Sequence, residues 1–138
     1  MAFTHPQKIK FKHCDPAGIV FYPRYFEMIN DCVEAFFEDV LQYPFGPMHP
    51  DNGVPTVQIE TQFIAPSRLG EVIDITLSVQ KVGRSSLDLA FMAAGAGKKR
   101  FVASSTLVHV GQGGRPAVWP EAVKTILQAH FEGDTDAT

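Results

Sequence analysis

The stretch His13-Cys14-Asp15-Pro16-Ala17-Gly18 gathers residues able to do chemistry, and it stands shortly before Pro23. Proline suits the first turn of a helix, where its missing N–H costs nothing. A helix start carries unpaired backbone N–H groups and a partial positive charge. Such donors stabilise the oxyanion that develops when water or a carboxylate attacks a carbonyl. Asp15, in the loop before that helix, would be the nucleophile or base, and Gly18 lets a ligand approach the backbone closely. An Asp before a helix also serves as a cap or turn residue, and spacing alone leaves both roles open.

The neighbouring candidates are weaker. Cys14 invites a thiol-nucleophile reading, but no His stands at a convincing position to activate it. A metal site from His13, Cys14 and Asp15 is disfavoured because adjacent strand residues point to opposite faces. His13 either orients Asp15 or the substrate, or is a core histidine with a satisfied hydrogen bond. Glu27, Asp31, Glu34 and Glu38 recur at helical spacing, as a solvated face does. His49, His109 and His130 lie in no motif.

The elements that must position these residues follow from hydrophobic period. Ile9, Phe11 and His13 alternate with Lys8, Lys10 and Lys12, which predicts a first strand over 8–13. From Pro23, Tyr22, Tyr25, Phe26, Ile29, Val33, Phe36, Phe37, Val40 and Leu41 recur at three- and four-residue steps, which predicts a long amphipathic helix. Tyr43 to Pro55 holds four Pro and two Gly and reads as an irregular loop. Strands are then expected around 57–63, 73–79, 87–93 and 101–110, with turns at Pro66 to Gly70, at Gly83 and at Gly95 to Gly97. Tight turns would make these four strands antiparallel neighbours. Pro120 opens a short terminal helix with Ala122, Val123, Ile126, Leu127 and His130 on one side. The expected fold is α+β, a five-stranded antiparallel sheet wrapped on one long central helix, in one domain spanning 1–138 with a frayed acidic tail over 133–138. Exposed edges of so small a sheet favour pairing with a second copy.

Composition bounds the function. The 138 residues carry 12 basic and 15 acidic side chains, a net charge of −3, which argues against a nucleic-acid partner. The compact basic run Lys98-Lys99-Arg100 reads as a solvated hairpin tip. Two cysteines make no disulfide framework, so reduced thiols and a cytoplasmic location are expected. No apolar stretch is long enough for membrane insertion and no signal peptide is visible.

The run His13-Cys14-Asp15-Pro16-Ala17-Gly18-Ile19-Val20-Phe21-Tyr22-Pro23-Arg24-Tyr25-Phe26 resembles the signature of the 4-hydroxybenzoyl-CoA thioesterase family, which includes the Tol–Pal-associated short-chain acyl-CoA thioesterases. Phe63-Ile64-Ala65-Pro66-Ser67-Arg68-Leu69-Gly70-Glu71 and Val82-Gly83-Arg84-Ser85-Ser86 resemble its second and third blocks, so the likeness runs to about Val110. It implies a hotdog fold, a homodimer or homotetramer with sites between subunits, and hydrolysis of an acyl-CoA to free acid and CoA. It implies Asp15 as nucleophile or general base and the backbone N–H near Tyr22 as the donor that polarises the thioester carbonyl, with Gly18 counted among the catalytic-loop residues. His13, Ile19, Val20, Phe21, Tyr25, Arg84 and Ser85 are expected to contact substrate, the last two near the CoA nucleotide. No metal or separate cofactor is implied, because CoA is part of the substrate. An acyl-carrier-protein ester, read by a basic surface of Arg68, Lys81 and Arg84, a non-catalytic acyl-CoA binder, or a hydratase using His13 are the alternatives. The 43–55 loop matches no family motif, which leaves the acyl group open.

Overall fold

The computed structural model describes residues 2–132; the acidic tail expected over 133–138 lies outside them. Element order is β1 (Phe3–Lys8), α1 (Pro23–Asp39), α2 (Phe45–Met48), β2 (Thr56–Phe63), β3 (Val72–Val82), β4 (Ser86–Gly95), β5 (Lys98–Val108) and α3 (Glu121–Ala129). The strands form one antiparallel sheet in the order β1-β3-β4-β5-β2. This is the hotdog arrangement, a sheet curled on one long helix.

Inward residues alternate along the central strands. Ile73, Ile75, Leu77 and Val79 on β3, with Leu87, Leu89, Phe91 and Ala93 on β4, are buried beneath α1. From the helix, Tyr25, Ile29, Val33, Phe36 and Phe37 enter the same core, while Glu27, Asp31, Glu34 and Glu38 face solvent. Full burial of side chains such as Phe36 and Phe37 contributes about 1.5–3 kcal/mol each. Rings mark both ends of the helix: Tyr25 lies 5.0 Å from Phe101, and Phe37 lies 6.3 Å from Trp119.

Several sequence expectations are corrected. The first strand is Phe3–Lys8, and Phe11–His13 is a 3-10 turn instead of a strand. The alternation over 8–13 arises because Ile9 and His13 are buried while Phe11, at 83% exposure, points outward from the turn. β1 is an edge strand and so tolerates Pro6. The 43–55 segment contains the short helix α2. In α3 Val123 and Leu127 are buried, but Ala122 is exposed.

The largest correction concerns β2. It makes no hairpin with β3 through the turn at Pro66 to Gly70 but pairs with β5 at the opposite edge. The reason is competition for edges. Two tight hairpins join β3, β4 and β5, and β1 takes the outer side of β3. Only the outer side of β5 is left for β2, so residues 64–71 must cross the end of the sheet. That crossing segment becomes one wall of the site.

Candidate active site

The Asp15 loop folds back on itself. Asp15 N–H donates to Ile19 O (3.0 Å), Gly18 N–H to Asp15 O (2.9 Å) and Phe21 N–H to His13 O (2.9 Å). Gly18 has φ +82°, a conformation glycine adopts without strain, and this closes the turn. Asp15 Oδ1 accepts the Ala17 N–H at 2.9 Å, so the turn role is realised. Its Oδ2 makes no hydrogen bond among the described residues. The loop is moored to the crossing segment, where Val20 N–H donates to Ser67 O (2.9 Å) and Ile19 pairs with Arg68.

The helix start leaves one donor over. Tyr22 is the N-cap, already in the helical region (φ −53°, ψ −34°), and no side chain caps α1. Phe21 N–H is used by His13, Arg24 N–H by Phe21 O (2.9 Å) and Tyr25 N–H by Tyr22 O (3.1 Å), and Pro23 has no N–H. The Tyr22 N–H makes no hydrogen bond among the described residues. Tyr22 itself is 58% exposed, outside the core stripe in which its spacing had placed it.

A pocket of about 530 Å³ opens beside this donor. Ile19, Val20, Tyr22 and Tyr25 form one side; Phe63, Ile64, Ala65 and Pro66 form the other. The lining is mostly apolar. Phe63 stacks on Tyr25 at 5.7 Å and meets Tyr22 edge-on at 5.9 Å. Phe21 is half-exposed next to Tyr22, with ring centroids 5.6 Å apart. Asp15 and Gly18 lie on the other limb of the same loop and do not line this pocket in the single chain.

His13 is buried at 5% exposure, and its Nδ1 accepts the Lys10 N–H at 2.8 Å. Nε2 therefore carries the proton of the neutral ring. Burial, then the Lys12 charge, hold its pKa below the ordinary 6.5. Arg84 and Ser85 lie elsewhere, in the β3–β4 turn. The ten residues of β4 separate that turn from the pocket end, about 30 Å at 3.3 Å per residue. Arg68 precedes β3 and Lys81 and Arg84 lie at its end, so the three form no single basic patch in one chain.

Sequence reasoning assigns residues near Thr61 to Ser67 to completing the site from a partner subunit; 63–66 instead wall the pocket within the same chain, and the group behind them was missed. Arg100, expected at a solvated tip with Lys98 and Lys99, is 3% exposed and ion-paired to Glu71 at 2.9 Å. The reason is a β-bulge. Ala94 pairs with Lys99 and Ala93 with Phe101, leaving Arg100 as the extra residue, re-aimed at the crossing segment. The Arg100 guanidinium holds the Glu71 carboxyl below the usual carboxylate range. The signal available was Glu71 itself, an acid in the second family block. Among the described residues, no group of three or more His, Cys, Asp or Glu is placed to hold a metal, and no helix is long and apolar enough to cross a membrane.

Comparison with known proteins follows the same outline. The profile of the thioesterase-like superfamily matches residues 9–127. The chain is 26% identical over 88 residues to a 4-hydroxybenzoyl-CoA thioesterase of Pseudomonas sp. (strain CBS-3), covering 62% of this chain and 62% of that relative's length. It is 21% identical over 111 residues to a 1,4-dihydroxy-2-naphthoyl-CoA hydrolase of Acaryochloris marina (strain MBIC 11017), covering 77% and 79% of the two chains. Among solved structures, a gentisyl-coenzyme A thioesterase superposes with a TM-score of 0.83 at 23% identity over 91% of this chain and 99% of that one. A Staphylococcus aureus protein in complex with CoA superposes with a TM-score of 0.87 at 18% identity, over 95% and 84%. These structural likenesses bear on the fold.

Proposed function

The chain belongs to the thioesterase-like superfamily, and on that premise we propose that it is a thioester hydrolase of small acyl- or aroyl-CoA esters, with Asp15 as its catalytic carboxylate. One observation carries the reading: the Tyr22 N–H, the donor left over at an uncapped helix start, borders an apolar pocket on the side formed by Ile19 and Val20 of the loop that follows Asp15. The names of the two relatives, both acting on aromatic CoA esters, support the substrate class. So does the CoA-bound structural neighbour.

In this reading the acyl group enters the pocket beside the stacked Tyr25 and Phe63 rings, and the thioester carbonyl oxygen accepts the Tyr22 N–H. Asp15 Oδ2 then attacks the carbonyl carbon. The C–S bond breaks, CoA leaves as a thiolate that takes a proton from water, and hydroxide or water opens the resulting anhydride. Alternatively, Asp15 takes the proton of a water that attacks the same carbon. Both routes use the same oxyanion donor, worth about 3–4 kcal/mol in the transition state.

The active unit in this reading is a homodimer or a larger homo-oligomer. The outer edge of β2 is unpaired in the single chain, and Val57, Ile59 and Phe63 of this strand are exposed. Antiparallel two-fold pairing along β2 sets the far end of one sheet beside the near end of the other. A second copy's Arg84 and Ser85 would thereby approach the CoA nucleotide. The two thiols, Cys14 and Cys32, are free, which supports a reducing compartment such as the cytoplasm.

The test is thiol release from short-chain, long-chain and aromatic acyl-CoAs by wild type and Asp15→Asn. The near-isosteric variant is expected to keep its fold and lose at least about a hundredfold in turnover. Equal activity in the folded variant removes Asp15 from the chemistry and makes Glu27 the next carboxylate to change. A wild type silent on every CoA ester moves the carrier-protein and binder readings ahead.

A further inference from the structure

We propose that Arg100 is a positioning residue for this reaction: with Ser67 it forms a brace that fixes the pocket wall 64–67 against Tyr25 and, through Val20, the loop that carries Asp15. The inference rests on reading the pocket as the thioesterase site.

The brace is a connected set of bonds. Arg100 Nη1 donates to Pro66 O (3.0 Å), Ser67 Oγ (3.2 Å) and Glu71 Oε1 (2.9 Å), and Nη2 donates to Gly95 O (2.9 Å). The Arg100 backbone O accepts the N–H groups of Ile64 (2.8 Å) and Ala65 (3.1 Å). Ser67 Oγ also accepts the Tyr25 hydroxyl at 3.0 Å, and Ser67 O accepts the Val20 N–H. Val20, Tyr25, Ile64, Ala65 and Pro66 all line the pocket. Both limbs of the pocket are therefore tied to Arg100, the 64–65 backbone through its carbonyl and Pro66 and Ser67 through its guanidinium.

The chemistry of this group favours a positioning role over simple stabilisation. Arg100 is buried while its partner Glu71 is part-exposed, and holding a charge out of water in this way is an inefficient means of stabilising a core. What a guanidinium adds is a planar fork that holds several oxygens at fixed angles, which a lysine ammonium cannot reproduce. A Cβ on Gly95 would stand 3.0 Å from Ile73 Cγ2 and Val72 O and 3.4 Å from Arg100 Nη2, so β3 more than Arg100 excludes a side chain there. Ser67 is itself fully buried, and among the described residues its hydroxyl is the single hydrogen-bonded link between the fork and α1.

The test is a double-mutant cycle in kcat with Ser67→Ala and Arg100→Met, read beside amide hydrogen exchange. Ser67→Ala is expected to lower kcat about tenfold with a much smaller change in KM, since misplacement of a reacting group weakens turnover more than binding. In the Arg100→Met background the same change should cost less than about twofold, because the brace is already broken. Arg100→Lys should not restore turnover. Exchange at Val20 and Ile64 should quicken in Ser67→Ala while the β4 amides keep their protection. If Arg100→Met does not fold, Ser67→Ala with Tyr25→Phe closes an equivalent cycle. Additive losses, wild-type kcat in both single variants, or exchange that quickens equally throughout the sheet each overturn the brace. Asp15→Asn is run alongside. If it is inactive while Ser67→Ala turns over normally, the brace alone fails. A silent wild type or an active Asp15→Asn removes the thioesterase reading and this assignment with it.

Discussion

The two ends of the central helix use similar residues to opposite effect. At its C-terminal end His109 is buried with both ring nitrogens engaged: Nδ1 donates to Ala117 O (3.0 Å) and Nε2 accepts the Tyr43 hydroxyl (2.7 Å). Its ring stacks on Trp119 at 4.8 Å, and Trp119 Nε1 donates to Ser86 O (3.2 Å). The carbonyls of Arg84 and Ser85 are taken by the N–H groups of Trp119 and His109. At the N-terminal end His13 is just as buried, but among the described residues its Nε2, the Tyr22 N–H and Asp15 Oδ2 make no hydrogen bond. Saturated polar groups close a fold; groups left over beside an apolar pocket are available to a ligand. That difference, more than residue type, separates scaffold from site here.

Changes at the closed end should lower stability and spare turnover, whereas changes at the open end should lower turnover. Trp119→Ala sharpens the contrast most. Loss of a ring that packs on His109 and Phe37 is expected to cost about 3–5 kcal/mol in thermal or denaturant unfolding. The kcat of the folded fraction on a truncated N-acetylcysteamine thioester, which lacks the CoA nucleotide, should stay at the wild-type value. A drop in that kcat would join the two ends into one functional unit.

Gly18→Ala probes the open end. A Cβ there meets no atom within 4 Å, so the cost is the positive φ alone, about 1–2 kcal/mol. Because Gly18 closes the turn on Asp15, steady-state assays should show kcat falling about tenfold, a loss worth about 1.4 kcal/mol in the barrier. Unchanged kcat at lowered stability would make this loop scaffold like the far end.

The smallest effect is in pH. The folded protein favours neutral His13, because burial and Lys12 depress its pKa, whereas the unfolded chain protonates near 6.5. The unfolded state thus binds more protons between the depressed value and 6.5, and stability rises with pH across that window. His13's contribution is whole above about 6.5 and is lost as pH falls through the folded value. Urea titrations across this range should show an acid-side slope that His13→Asn flattens. An unchanged slope would assign it to other groups.

Parts of this site could be read before folding because they are local. Ile19, Val20, Tyr22 and Tyr25 share the loop and first turn that Pro23 announces, and one stretch of chain brings them together. The alternations in β3 and β4 and the stripe of α1 are legible for the same reason: period reports which face is buried. The opposite wall was legible as a family block but not as part of the same chain's pocket. Phe63 to Pro66 reach the pocket because β2 was displaced to the far edge, an outcome of competition among strands distant in sequence. Arg100 sat in a charge run that promised solvent, and a bulge set by its pairing with β4 turned it inward. Arg84 and Ser85 were joined to Asp15 by a family likeness, yet one strand length holds them apart within a chain. The sequence by itself determined α1, the inward faces of β3 and β4, the helix start and the loop before it, since those depend on neighbours a few residues away. The tertiary structure decided which segment faces that loop and which charge is buried behind it, since those depend on edges and registers that exist only once the sheet has formed.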